Sequence, residues 1–214
     1  MSRLKINTQF GKSFNKYPRE KLKILQADKY LERAINSDEF RLWCLNHMYE
    51  GRKGFADTDM NNEQVYKTLM RGEEKLLPGT IGVWNFHLNA YWSLKRVLGY
   101  TYKNVKEIWM NMRYYSKSWW SPADICGNKA HEECHKLGFE HSFRRSKKWP
   151  FTVPYAVGNK VKKIVEVYEK EDQSFPSHVP VKNPEPRPDT SEIDKTMPKI
   201  GFFRRIWFKI KSIL

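Results

Sequence analysis

One eleven-residue segment carries most of the chemical information in this chain of 214 residues. It runs from His131 to His141 and reads H-E-x-x-H-x-x-G-x-x-H. Residues four apart on an α-helix lie on one face, so His131 and His135 can direct two ring nitrogens at one point. Gly138 can adopt a left-handed conformation and end the helix, which allows the chain to bring His141 to the same point. The spacing predicts a metal site with three histidine ligands.

The residue after the first histidine, Glu132, would lie on the flank of the ligand face. Its carboxylate is therefore placed to take a proton from a metal-bound water rather than to bind the metal. Three protein ligands leave the fourth tetrahedral position open, which is typical of catalytic rather than structural zinc. The predicted cofactor is Zn²⁺. The competing interpretation is a solvated helix end rich in His and Glu.

Two other residues of metal-ligand type are predicted to have no metal role. Cys134 lies three residues after His131, beside the ligand face, and is expected to be a small packed residue. His87 is isolated from the segment in sequence and is expected to be a strand or core histidine.

The secondary structure predicted around this segment indicates an α+β fold with a small mixed sheet. Thr80–Trp92 reads as a strand because apolar and polar residues alternate, and Lys106–Met112 is a second strand candidate. The helix that carries the histidines begins at Ser121-Pro122, a capping residue followed by proline, and should end at Gly138. Gly127 weakens it locally, which suggests either close packing against the sheet or a start nearer Asn128.

Other helices are expected on both sides of this region. Ser37 is a plausible N-cap for a helix that turns Phe40, Trp43, Cys44 and Met48 toward the core. The remaining predicted elements are helices at Ala27–Ile35, Glu63–Met70 (ending near Gly72) and Asn159–Glu169, and an extended turn at Trp149–Tyr155.

The net charge of +15 lies mainly at the two ends of the chain. Residues 1–27 carry +6 and residues 199–214 carry +5. We therefore predict a basic, weakly ordered arm over residues 1–25 and a folded domain over residues 26–172. Residues 173–199 hold six of the 11 prolines, which predicts an extended or disordered linker.

Residues 200–214 place Ile, Trp and Phe on one helical face and Arg and Lys on the other, which predicts a basic amphipathic helix. Such a helix could bind an anionic membrane surface or dock on a partner protein. Nucleic acid is the less favoured partner, because Phe202, Trp207 and Ile210 have no use in phosphate binding.

The sequence contains no run of 18 apolar residues, and its first residues lack the apolar centre of a secretory signal. Its three cysteines form no obvious disulfide framework. We therefore expect a cytoplasmic protein with reduced thiols, peripherally membrane-associated if the terminal helix binds lipid.

The segment from His131 to His141 resembles the signature of the metzincin clan of zinc peptidases, within the wider zincin-like fold. The resemblance spans about Thr80–Glu169 and also covers the order of elements: strands, active-site helix, glycine turn, third ligand and a last helix. It implies that His131, His135 and His141 bind zinc and that Glu132 is the general base.

The chain departs from the clan's pattern at the methionine-containing turn. No Met occurs between Met112 and Met197. Val153 would occupy the methionine position and Tyr155 the position of a tyrosine that reaches the zinc in some members. Tyr155 could stabilise an oxyanion, or it could be an ordinary packed aromatic.

The resemblance implies a zinc-dependent endopeptidase that hydrolyses a protein or peptide substrate with a metal-bound water and Glu132 as general base. Lys106–Met112 is expected to be the sheet edge that an extended peptide joins. The alternative is a non-catalytic, zinc-stabilised module that binds a membrane surface or partner protein through Ile200–Leu214.

Overall fold

The structure is a computed structural model that describes residues 3–102, 104–142 and 146–172. In this part of the chain the strands are β1 (Lys5–Phe10), β2 (Met48–Tyr49), β3 (Arg52–Lys53), β4 (Val83–Tyr91), β5 (Gly99–Tyr100) and β6 (Glu107–Asn111). The α-helices are α1 (Pro18–Ile35), α2 (Asp38–Leu45), α3 (Asn62–Arg71), α4 (Met112–Tyr115), α5 (Pro122–Lys136) and α6 (Val153–Glu171). Two short 3-10 helices lie at Lys12–Lys16 and Trp149–Phe151.

Four strands form one mixed sheet in the order β1-β4-β6-β5. β1, β4 and β6 are parallel, and β5 runs antiparallel to β6 at one edge. β2 and β3 form a separate antiparallel hairpin. The predicted α+β class with a small mixed sheet is confirmed.

β4 lies inside the sheet and carries much of its core. Trp84, Phe86 and Leu88 are fully buried, and the Trp84 indole N–H donates to the Leu69 carbonyl at 3.0 Å. The alternating pattern of Thr80–Trp92 therefore identified this strand, whose observed bounds are slightly shorter.

The prediction of a weakly ordered arm over residues 1–25 was wrong. β1 pairs with β4 along its whole length, Phe14 is fully buried, and α1 begins at Pro18 rather than near Ala27. Lys5 on β1, Lys12 and Lys16 on the 3-10 helix and Arg19 on α1 are all exposed, so their charges lie on the surface of ordered elements. Their charge was mistaken for a sign of disorder.

The two edges of the sheet are formed by β1 and β5. At the β1 edge, two side chains accept hydrogen bonds from the backbone: Asn36, the C-cap of α1, from Leu4 N–H at 2.8 Å, and Glu32 on α1 from Ile6 N–H at 3.1 Å. The predicted edge strand, Lys106–Met112, is instead the interior strand β6, because β5 pairs with its outer side. β5 is short and contains a glycine, so its sequence gives little strand signal.

α5 begins where the sequence predicted. Ser121 and Asp124 form a capping box, and Pro122 occupies the first turn. The glycine inside the helix, Gly127, allows a close crossing with α6: a Cβ there would lie 3.0 Å from the Gly158 carbonyl oxygen. The predicted close packing is therefore against α6, and not against the sheet.

Buried charged residues fasten α5 to its neighbours. Lys129 is fully buried, hydrogen-bonds to Thr8 on β1 at 2.8 Å, pairs with Asp28 on α1, and lies 4.0 Å from the centre of the Phe86 ring. Near the other end of the helix, Lys136 pairs with buried Glu74 at 2.8 Å. These contacts hold α5 between the sheet and α1.

α6 begins six residues before its predicted start at Asn159. The expected extended turn at Trp149–Tyr155 is instead a 3-10 helix followed by the first turn of α6, with Pro154 in a position that suits a helix N-terminus. None of the described helices is both long and apolar enough to cross a membrane.

The predictions for α2 and α3 hold in most details. Ser37 caps α2, and Gly72 ends α3 with a φ of 60°. Met48 is an exception, because it lies in β2 and is exposed. The predicted linker over 173–199 and the predicted helix over 200–214 lie outside the described residues.

Candidate metal centre

The three histidines of the segment come together at the C-terminal end of α5. The Nε2 atom of His131 lies 3.3 Å from Nε2 of His135 and 3.3 Å from Nε2 of His141. One nitrogen from each ring lies within 4.8 Å of the other two. Gly138, with a φ of 99°, makes the turn that returns the chain to the end of the helix, as the sequence predicted.

Each ring uses its other nitrogen to bond a backbone carbonyl. His135 Nδ1 lies 2.9 Å from the Phe139 carbonyl oxygen, and His141 Nδ1 lies 3.1 Å from that of Ser142. His131 hydrogen-bonds to the backbone of Pro154, which has no N–H, so its partner is again a carbonyl.

These carbonyls determine where the protons sit. A carbonyl oxygen only accepts hydrogen bonds, so each Nδ1 must carry the proton of its ring. In a neutral imidazole the other nitrogen is then a bare lone pair. Burial lowers the pKa of His135, and burial together with the neighbouring histidines lowers the pKa of His131 well below its usual range. The neutral form of His131 and His135 is therefore favoured, with their Nε2 atoms facing each other.

This arrangement fits zinc. Three lone pairs at such short separation repel one another unless a cation lies between them. Four-coordinate zinc with Zn–N bonds of roughly 2.0–2.1 Å places its ligand nitrogens about 3.3–3.4 Å apart. The two Nε2 separations from His131 agree with that spacing. His131, His135 and His141 could therefore hold the ion and leave a fourth position open.

Glu132 is buried beside the first ligand. This burial raises the pKa of its carboxyl group to about 8, although a hydrogen bond from the backbone of Thr101 opposes the rise. A carboxyl group whose pKa lies near neutrality can both take up and release a proton under physiological conditions.

The edge strand β5 passes directly over this carboxyl group. A Cβ on Gly99 would lie 2.9 Å from the Asn128 side-chain nitrogen and 3.8 Å from Glu132 Oε1. Glycine is therefore needed for the strand to approach α5 this closely. The close approach at Gly99 and the hydrogen bond from the Thr101 N–H place the Glu132 carboxylate next to the edge of the sheet.

Tyr155 and Trp149 form an aromatic wall on one side of the histidines. The Tyr155 ring centre lies 4.5 Å from that of His131 and 4.7 Å from that of His141. Trp149 stacks on Tyr155 at 4.8 Å and lies 5.4 Å from His141. Tyr155 thus sits at the cluster, and its ring contacts alone do not distinguish an oxyanion donor from a packing role.

Cys134 and His87 were predicted to have packing roles without a metal role. Cys134 is fully buried, and like Cys44 and Cys126 it is a free thiol. His87 lies on β4, outside the histidine cluster. Val153, the residue at the methionine position of the resemblance, is buried in the first turn of α6.

Sequence reasoning missed three parts of the centre: the Pro154 carbonyl, the Thr101 N–H and Trp149. The first two are backbone groups, which carry no side-chain signature. Trp149 was placed in an extended turn, although an aromatic residue eight positions after the third histidine was a visible signal.

Comparison with known protein families, curated proteins and solved structures gave no match.

Proposed function

We propose that this chain is a zinc-dependent endopeptidase with a zincin-like fold. The observation that carries the proposal is the cluster of three Nε2 atoms, two of them 3.3 Å from the third, with the Nδ1 atoms of His135 and His141 bonded to backbone carbonyls and His131 bonded to the backbone of Pro154. Glu132 adds a buried carboxyl group to the same helix turn. A three-histidine zinc site with a neighbouring glutamate is typical of hydrolytic metalloenzymes.

His131, His135 and His141 would hold the ion. Bound in this way, zinc supplies a Lewis acid and lowers the pKa of a coordinated water to about 7. The carbonyls of Phe139, Ser142 and Pro154 keep the three rings in the tautomer that binding requires.

Glu132 is the proposed general base. Burial raises its pKa to about 8, which makes the ionised form a stronger proton acceptor than an exposed glutamate. It takes the proton of the attacking water and then gives it to the nitrogen of the departing amine. The Thr101 N–H holds the carboxylate in place during both transfers.

Tyr155 is the proposed donor to the carbonyl oxygen of the scissile bond. Its ring centre lies 4.5 Å from that of His131 and 4.7 Å from that of His141, which supports this role. A hydroxyl near the oxygen that gains negative charge stabilises the transition state more than the ground state.

An extended peptide would bind at the outer side of β5. Asn111 N–H bonds to the Leu98 carbonyl, so the Leu98–Asn111 pair is hydrogen-bonded and the next pair, Gly99–Met110, is not. The backbone N–H and C=O of Gly99 therefore point away from β6. A peptide strand that bonds to Gly99 would pass beside Glu132, which lies next to the same strand.

The order of elements supports the zincin-like fold. A parallel β1-β4-β6 core with an antiparallel edge strand precedes the helix that bears two of the histidines. A glycine turn, the third histidine and a last helix follow.

The test is Glu132→Gln, which removes the base and keeps the size of the side chain. We expect the variant to bind one zinc ion per chain and to cleave casein about 10²–10⁴-fold more slowly than wild type. Zinc is measured by elemental analysis, and cleavage is measured with and without a chelator.

The matched control is Glu63→Gln, which removes an exposed carboxylate paired with Lys67 on α3. It should retain wild-type cleavage, because exposed ion pairs contribute little to stability. Undiminished cleavage by zinc-loaded Glu132→Gln would show that the base is another group. A wild-type protein without zinc would remove the proposal altogether.

The proposal has two further parts, which concern the C-terminal segment and the cellular location. Membrane or partner binding by residues 200–214 stays a prediction from sequence. A cytoplasmic location also stays a prediction, and the three buried free thiols are its support.

A further inference from the structure

We infer that Trp149 is the positioning residue for the third metal ligand, His141. The inference rests on the proposed zinc site and extends it to a residue that touches neither the ion nor the substrate. His141 differs from the other two ligands because it follows the break in α5 and belongs to no helix or strand.

A backbone carbonyl group helps to orient the His141 ring. His141 Nδ1 lies 3.1 Å from the carbonyl oxygen of the next residue, Ser142. Ser142 is exposed and also lies outside regular structure. A carbonyl in such a segment can orient the ring only if another group holds it.

Trp149 supplies that group. Its indole N–H donates to the same Ser142 oxygen at 2.7 Å. A carbonyl oxygen has two lone pairs and can accept both bonds. The face of the indole also stacks on Tyr155 at 4.8 Å, and the Tyr155 ring contacts His131 and His141.

Trp149 is itself firmly anchored. It opens the short 3-10 helix Trp149–Phe151, and its carbonyl accepts from the backbone N–H of fully buried Thr152 at 3.1 Å. The Phe151 carbonyl accepts from Ala56 N–H at 2.8 Å, which ties this helix to the segment after the β2–β3 hairpin. Contacts with the core thus hold Trp149, Trp149 holds the Ser142 carbonyl, and this carbonyl orients the imidazole of His141.

The test compares zinc affinity, measured by competition with a chromophoric chelator, in wild type and Trp149→Phe. Phenylalanine keeps an aromatic ring against Tyr155 but removes the N–H, together with one ring of the indole. We expect zinc binding to weaken about 10–100-fold, as is usual when an outer partner of a metal ligand is lost. The melting temperature of the metal-free protein should change by less than about 2 °C, because Trp149 is only half-buried.

Trp119→Phe is the matched control, since Trp119 is 65% exposed and its recorded ring contact is with Trp120, away from the histidines. It should bind zinc as wild type does. If Trp149→Phe binds zinc within about twofold of a zinc-binding wild type, this inference is overturned and the proposed function stands. If wild type binds no zinc, both are overturned.

Discussion

The three imidazoles differ in how their positions are set, although their roles in the proposed site are the same. His131 and His135 are carried by α5, and their spacing follows from the pitch of a helix. His141 is placed by a glycine turn and by ring contacts with Trp149 and Tyr155. Substitutions around His141 should therefore disturb the site with the least effect on the fold.

Removal of the Tyr155 hydroxyl distinguishes a role as an oxyanion donor from a role in packing. Tyr155→Phe keeps the ring against His131 and His141 and removes the hydroxyl. We expect kcat to fall about 10²–10³-fold with zinc affinity unchanged, because the lost group stabilises charge that develops only during the reaction. Steady-state kinetics on a peptide substrate, together with zinc titration, provides the measurement.

A ring of the same type away from the cluster serves as the control. Tyr49 contacts Phe151 and lies on the β2–β3 hairpin, so Tyr49→Phe should leave kcat unchanged. Wild-type kcat in Tyr155→Phe would assign Tyr155 to packing alone.

At the scale of elements, the crossing of α5 and α6 sets the shape of the site. Gly127 and Gly158 face each other where the helices cross, and a Cβ on Gly158 would lie 2.7 Å from the Gly127 oxygen and 3.2 Å from His131 Cβ. The same crossing brings the Pro154 carbonyl to His131. Glycine at these positions is needed for close approach, despite its cost in helix propensity.

We therefore predict that Gly158→Ala lowers the free energy of unfolding by about 1–3 kcal/mol, as overpacking of a core commonly does. This loss would occur although alanine improves helix propensity by about 1 kcal/mol. Zinc affinity should fall as well, because α6 carries the Pro154 carbonyl away from His131. Urea denaturation and zinc titration measure the two effects.

The neighbouring position offers a matched control. Asn159 is exposed on α6, so Asn159→Ala gains helix propensity without a new contact. It should be as stable as wild type or slightly more stable. If Gly158→Ala and wild type had the same free energy of unfolding, α5 and α6 could move apart without loss of stability.

On the scale of the whole molecule, the proposed zinc site joins elements that are distant in sequence. α5 is fastened to β1 and α1 through Lys129, and the third ligand is linked through Trp149 and Phe151 to the chain near Ala56. A ligand that binds the folded state alone stabilises all of these contacts together.

We predict that zinc raises the melting temperature of the chain. At a free zinc concentration 100 times the Kd, the stabilisation is about 2.7 kcal/mol. For a chain of this size that corresponds to a rise of about 5–11 °C. Differential scanning calorimetry with zinc and with a chelator measures the shift.

His141→Ala should abolish most of this rise and change the melting temperature of the metal-free protein little, because His141 lies only half-buried at the end of a turn. A rise of the same size in His141→Ala would place the zinc elsewhere in the chain.

The sequence by itself determined the features that depend on local spacing. It located the three histidines and Glu132, the capped start of α5, the left-handed turn at Gly138 and the buried strand β4, because helix pitch, capping and strand alternation act over a few residues. For the same reason it ended α3 at Gly72.

Only the tertiary structure decided how distant segments combine. β1 was taken for an arm because its pairing partner β4 lies more than 70 residues away and because Lys and Arg are frequent in residues 1–25. β5 is two residues long, and its place at the sheet edge depends on pairing with β6. The carbonyls that orient the histidines, and the indole that holds one of them, come from backbone positions and a packing contact. No local pattern encodes these, because they exist only once the chain has folded.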